Sequence, residues 1–225
     1  MSDIFREVDE DIRHEKFRRL WDRLGVWVII LAVAIVAGTA GYRGWLYWQQ
    51  QQSMKAGDAF MEAVKLSQDG KTAEAEAAFA AMSAATGGYP VLAKFRLAES
   101  LSASGKADEA VAAYDALAAD SGLEPVLRGL AAVRAGYIAL DTADFAALKT
   151  RLEPLTAEDN AWRFAAREIL AFGAWKAGDM QAASDYASQI TDDAAAPREI
   201  GARVSILTKV ISGSQPSLAD KGETK

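Results

Sequence analysis

Two patterns of hydrophobic and polar positions succeed one another along this chain. From Leu24 to Tyr42 (LGVWVIILAVAIVAGTAGY) nineteen residues pass without a charge, bracketed by Arg23 and Arg43. At about 1.5 Å per residue the run predicts a helix of roughly 28 Å, close to the hydrocarbon thickness of a bilayer. No second run of this kind exists in the sequence, so one membrane crossing is expected. From about Ser53 onward the apolar residues recur at helical spacing instead, in Ala-rich amphipathic segments punctuated by Gly, Asp and Pro.

Those segments repeat. Gly70-Lys-Thr-Ala-Glu-Ala-Glu-Ala-Ala-Phe79 matches Gly105-Lys-Ala-Asp-Glu-Ala-Val-Ala-Ala-Tyr114 at a spacing of 35 residues. Asp141-Thr-Ala-Asp-Phe-Ala146 begins 36 residues further on, and Gly178-Asp-Met-Gln-Ala-Ala183 another 37 beyond. Pro90 and Pro125, also 35 apart, suit the first turn of a helix, where no amide hydrogen is needed. A period near 34 with a turn glycine between paired helices is the tetratricopeptide signature. The predicted pairs are 54–69 with 72–86, 90–104 with 107–120, 125–140 with 143–152, and 160–177 with 179–190. A last helix, Pro197 to Ser212, would close the stack as a cap. Ala75, Ala110, Ala146 and Ala183 are expected to let paired helices approach closely, and Phe79 and Tyr114 to fill the space between repeats. Thr150 and Ala187 take that aromatic position in repeats three and four, and Pro154 shortens the second helix of repeat three.

The expected fold is therefore all-α: a single N-terminal transmembrane helix followed by a tetratricopeptide-like α-solenoid of about four helix pairs and a C-terminal capping helix. Its divisions read as a charged cytoplasmic tail (1–23), the anchor (24–42), a membrane-proximal linker (43–53), the repeat domain (54–212) and a disordered tail (213–225, GSQPSLADKGETK).

Charge gives the anchor a direction. Arg13, Lys16, Arg18, Arg19 and Arg23 precede it, whereas only Arg43 follows before Lys55. Positive residues favour the cytoplasmic side, so the amino terminus is placed inside and the long remainder outside. Trp21 and Trp27 mark one interface, and Tyr42, Trp45, Tyr47 and Trp48 the other. A cleaved signal peptide is the rival reading, with small residues Gly38 and Ala40 near a cut. Against it stand Asp9, Glu10 and Asp11 in a long leading segment, and the aromatics directly after the cut. Ile4, Val8 and Ile12 share a helical face that continues through Phe17, Leu20, Trp21 and Leu24, which would suit an interfacial helix over residues 3–23 or a partner surface. Within the span, Ala34 with Gly38 and Ala37 with Gly41 form two small-x-x-x-small pairs that would let a second helix pack.

Composition removes most chemistries. The part beyond residue 52 carries eighteen Lys and Arg against twenty-four Asp and Glu, a poor balance for nucleic-acid binding. Cysteine is absent, and the only histidine is His14, so disulfides, thiolate or histidine metal sites and Ser/His/Asp catalysis have no residues in the repeats. Glu158–Asp159 and Asp192–Asp193 lie in turn-like stretches, where carboxylates cap helices or face water. No phosphate-binding glycine loop or calcium loop is present. The reading is a binding protein without catalytic residues, cofactor or metal.

A solenoid binds through the first helices of its pairs. With Leu97, Val133 and Leu170 taken as inward leucine-type positions, the groove candidates are Leu92, Phe95, Glu99, Arg128, Ile138, Phe172 and Trp175. Such a lining, mostly apolar with two charges, suits an extended or partly unfolded polypeptide. Aromatics at helical spacing are usually core, however, and that is the favoured reading of Phe95, Phe172 and Trp175.

The layout also resembles a known family. Leu20-Trp21-Asp22-Arg23-Leu24-Gly25 leads into the anchor, Tyr42-Arg-Gly-Trp-Leu-Tyr-Trp48 follows it, and Ala-rich divergent repeats begin at Ala56-Gly57-Asp58-Ala59-Phe60. In these features, over about residues 1–210, the chain is similar to the YfgM-like ancillary subunits of the bacterial SecYEG translocon. The resemblance implies a single-pass inner-membrane protein, its repeat domain in the periplasm. It further implies association with the translocon and with an anchored chaperone of the peptidyl-prolyl isomerase type, to which exported polypeptides are passed. The alternative class is an envelope scaffold that organises cell-wall or division machinery by self-association.

Overall fold

The computed structural model describes residues 3–82 and 88–214, with side chains from Arg18 onward except those of Arg19, Leu20, Asp22 and Ser214. Of the expected disordered tail, 213–225, the residues Gly213 and Ser214 are helical instead; its remainder from 215, the stretch 83–87 and the side chains of Ile4, Val8, Ile12, Phe17 and Leu20 lie outside that description. Among the described residues the regular elements are all helical. They are α1 (Asp3–Gln68), α2 (Thr72–Ala81), α3 (Tyr89–Ala103), α4 (Ala107–Ala119), α5 (Pro125–Ala139), α6 (Phe145–Leu152) with a 3-10 turn at Glu153–Leu155, α7 (Arg163–Lys176), α8 (Met180–Thr191) and α9 (Arg198–Ser214). The chain divides into two compact units, Met1–Lys55 and Ala56–Lys225.

In the first unit the backbone stays helical through the residues expected as a linker, 43–53. One helix here is long and apolar enough to cross a membrane. Its side chains from Val26 to Val36 are exposed, as they would be on a helix that faces lipid. The Thr39 hydroxyl, near the carboxy-terminal end of the apolar run, donates to the Ile35 carbonyl at 2.7 Å and so needs no water.

The second unit is a stack of helix pairs. From Ala56 the last turns of α1 pack on α2 through Ala63, Ala75 and Phe79, followed by the pairs α3–α4, α5–α6 and α7–α8, with α9 at the end. Three of the four intra-pair turns are built alike. Gly70, Gly105 and Gly178 hold φ of 75°, 77° and 82°, the left-handed region open to glycine. The next amide then reaches back over the turn: Lys71 to Leu66, Lys106 to Leu101 and Asp179 to Ala174, each at 2.9 Å. This is the Schellman closure of a helix end.

The third turn, Leu140 to Asp144, differs. It has five residues where the others have three, no positive φ, and Asp144 caps α6 by accepting the Ala147 amide at 2.7 Å. The two extra residues shift the core-facing positions of the following helix two places along the chain. The expected register of α6 is corrected accordingly: Ala146 and Thr150 face solvent, and Leu148 and Leu152 are buried in their stead. Ala75, Ala110 and Ala183 occupy the close-approach position as expected, each fully buried. The larger leucines of α6 are accommodated by glycines opposite. A Cβ on Gly173 of α7 would stand 2.8 Å from Leu148, and one on Gly136 of α5 2.9 Å from Leu152.

The core runs through the pairs as three clusters. Phe60, Phe79 and Tyr89 join α1, α2 and α3, with ring centroids 5.8 Å apart in each contact Phe60 makes. Phe95 against Tyr114, at 5.9 Å, does the same for α3 and α4. Leu148, Leu152, Ile169, Leu170, Ile190 and Val204 form the largest cluster, around α7. That helix is buried on nearly every side, while α9 contributes Val204, Leu207 and Ile211 to the core, with Ile200 packed partly buried against it, and leaves Ile206 and Val210 exposed. Pro154 ends α6 in the short 3-10 turn, as its missing amide hydrogen dictates.

Candidate interaction surface

Consecutive helix pairs are tied by polar contacts that recur at about the repeat spacing. The Lys106 ammonium donates to Glu76 at 2.8 Å, and the Ser104 hydroxyl to the same carboxylate at 3.0 Å. This pairing lowers the pKa of Glu76 and raises that of Lys106. Arg151 donates to both oxygens of Asp115, from Nε at 2.9 Å and Nη2 at 2.7 Å, and its own pKa is raised by that bidentate bond. Tyr186 donates to Glu153 at 2.6 Å, and Lys176 to the carbonyls of Leu140 and Asp141 at the end of α5.

The strongest tie centres on Glu168 of α7, which is 1 % exposed. Tyr137 of α5 donates to its Oε2 at 2.6 Å, and Arg203 of α9 grips both oxygens. A carboxylate so deep needs this number of donors. Burial, reinforced by the bond to Glu168, pushes the Tyr137 pKa upward, and Glu168 raises that of Arg203. Nearby, buried Arg167 donates to the carbonyls of Thr156 and Gln189 at 2.7 and 3.3 Å and fastens the α6–α7 connection to the end of α8. None of these residues stood out in the sequence as candidates. The spacing of Glu168 and Arg203, 35 residues, and of Asp115 and Arg151, 36, was the available signal.

The seven groove candidates are distributed between core and surface. Phe95 and Ile138 pack partly buried on the α3–α5 cluster, and Phe172 on the α5–α9 cluster. Val133 and Leu170 are core, and Leu97 packs partly buried against the first cluster. Leu92 and Trp175 are exposed, and Glu99 pairs at 2.8 Å with Arg96 on its own helix. Arg128 is half-buried. In the first unit Ala34, Ala37, Gly38 and Gly41 are exposed, and a Cβ on either glycine would meet nothing within 4 Å. That face of the helix is open to a neighbour.

Antiparallel helix pairs, repeating close to every 35 residues and joined by inter-repeat core and polar ties, define a tetratricopeptide-type solenoid, a class of protein-interaction module. The family model described as a tetratricopeptide repeat-like domain matches residues 18–169, and the chain belongs to that family. The matched stretch takes in the apolar run together with the helix pairs up to α7. No curated protein and no solved structure matches the chain.

Proposed function

We propose that this protein is a membrane-anchored adaptor of the bacterial protein-export translocon, with its amino terminus in the cytoplasm and its repeat domain in the periplasm. The observation that carries the reading is the joining, within one family match, of a lipid-compatible helix to a stack of interaction repeats. The excess of Lys and Arg before the span supports the orientation. The SecYEG translocon would be met at the anchor, and exported polypeptides or a peptidyl-prolyl isomerase-type chaperone at the repeats. Held beside an export channel, the repeat surface works at high effective concentration, so weak contacts with emerging chains suffice.

The test is site-specific photocrosslinking in intact cells, from Leu31 and Ala37 in the span and from the exposed Leu92 and Trp175 in the repeats. Translocon subunits captured by the span, with exported chains or a chaperone captured by the repeats, is the expected result. Capture of only a second copy, or of cell-wall or division machinery, would replace this reading with that of an envelope scaffold.

A further inference from the structure

The lengthened α5–α6 turn leaves a cavity of about 390 Å³ between α4 and α6. One wall is Asp108, Val111 and Asp115 of α4; the other side is Ala143 of the turn with Ala147 and Arg151 of α6. The space has a local cause: small residues line the turn side, and α6 spans only Phe145–Leu152. Arg151 bridges the cleft to Asp115 through two hydrogen bonds, which fixes the walls and occupies the cation in the lining. The Asp108 carboxylate, exposed at the rim, has no hydrogen bond or ion pair among the described residues. The lining thus holds two carboxylates against one committed guanidinium over an apolar floor; of the cations nearest in sequence and space, Lys106 is bonded to Glu76 and Lys176 to the Leu140 and Asp141 carbonyls, which leaves Asp108 as the free charge of the lining.

We infer that this pocket receives the side chain of a lysine or arginine presented by a partner polypeptide. Long basic side chains bury an aliphatic stem while keeping the charged head at a polar rim. Here the stem would lie along Val111, Ala143 and Ala147, and the head would meet Asp108 at the mouth. The surface lies on the second helices of the pairs, away from the first-helix positions considered above, and stands independently of the export reading.

The test uses the full chain in phosphatidylcholine nanodiscs and dye-labelled twelve-residue Ala/Gln/Ser peptides with one central Lys, Arg or Gln, followed by fluorescence anisotropy. The Lys and Arg peptides are expected to bind at least about tenfold tighter than the Gln peptide, about 1.4 kcal/mol, and to weaken as salt is raised. Asp108→Asn removes the charge, and Ala147→Trp, at an exposed position, fills the space; each is expected to abolish the preference with helicity and melting unchanged. Asp159→Asn, an exposed carboxylate elsewhere, should leave it intact. Equal affinity for the three peptides, or a preference that survives both pocket variants, would overturn the proposal and assign any attraction to the diffuse negative charge of the chain.

Discussion

At the scale of single residues, Glu168 is where the stack is most exposed to damage. Its carboxylate is buried and satisfied by groups from the helices on either side, α5 and α9. Removing one partner leaves charge without compensation, which costs more than the pair contributes when intact. Arg203→Met is expected to destabilise the domain by about 2 kcal/mol, below the usual cost for a buried pair because the arginine is half exposed. Tyr137→Phe should cost about 1 kcal/mol; chemical denaturation of both variants measures the difference. Burial, with the bonds to Glu168 and Glu153, also raises the pKa of Tyr137 and of Tyr186 above the usual 10.0. Both rings stay neutral in the folded state at pH values where the unfolded chain already ionises. Their contribution is therefore complete below about pH 10 and is lost as pH rises above it. Thermal melts from pH 8 to 11 should show that alkaline loss, and Tyr137→Phe with Tyr186→Phe should flatten it. Such pairings are hard to see in a sequence, since a carboxylate in an amphipathic helix reads as solvent-facing until a second helix is known to cover it.

Between elements, the helix pairs were legible from the spacing of glycines and prolines, and the turn geometry explains why. Gly70, Gly105 and Gly178 each serve a left-handed turn position that demands glycine, so the periodicity of the fold is written in a residue type. The third turn contains no such marker. Asp141 aligned plausibly with the glycines, but the turn there has five residues, and α6 consequently presents Leu148 and Leu152 where Ala146 and Thr150 were expected. The compensating signal lay elsewhere, in Gly136 and Gly173 on the facing helices. These close contacts predict a ranking. Gly129→Ala would place a Cβ 2.4 Å from the Trp162 ring, which its hydrogen bond to the Val126 carbonyl holds at 2.8 Å. Gly173→Ala would press only on the flexible end of Leu148. Overpacking of this kind costs about 1–3 kcal/mol, with Gly129→Ala at the upper end and Gly173→Ala at the lower. Leu148→Ala combined with Gly173→Ala should show a coupling energy in a double-mutant cycle, because the two side chains compete for one space.

For the whole molecule, the division at Lys55 and Ala56 separates the helical segment that carries the apolar run from the unit that holds the three core clusters found among the described residues. A fragment of residues 56–225 is accordingly expected to be soluble, helical and cooperative in unfolding, and circular dichroism with a thermal melt checks this. The apolar run was the plainest feature of the sequence because a helix long and apolar enough to cross a membrane needs a length and a polarity that few other environments require. The interaction surface was the least plain. Phe95, Ile138 and Phe172 share the helical spacing of ligand-binding residues yet pack against the core, since apolar residues on paired helices serve both purposes with the same periodicity. The proposed topology holds the repeats beyond the membrane, on the side opposite the amino terminus. The native chain lacks cysteine, so single introduced thiols report on topology without background. Ser2→Cys and Ala103→Cys, each treated with a membrane-impermeant maleimide in spheroplasts, make the most direct test. The account predicts labelling at position 103 in intact spheroplasts and at position 2 only after lysis, with the chain retained in carbonate-washed membranes. Labelling in the reverse order, or release of the chain by carbonate, would contradict it.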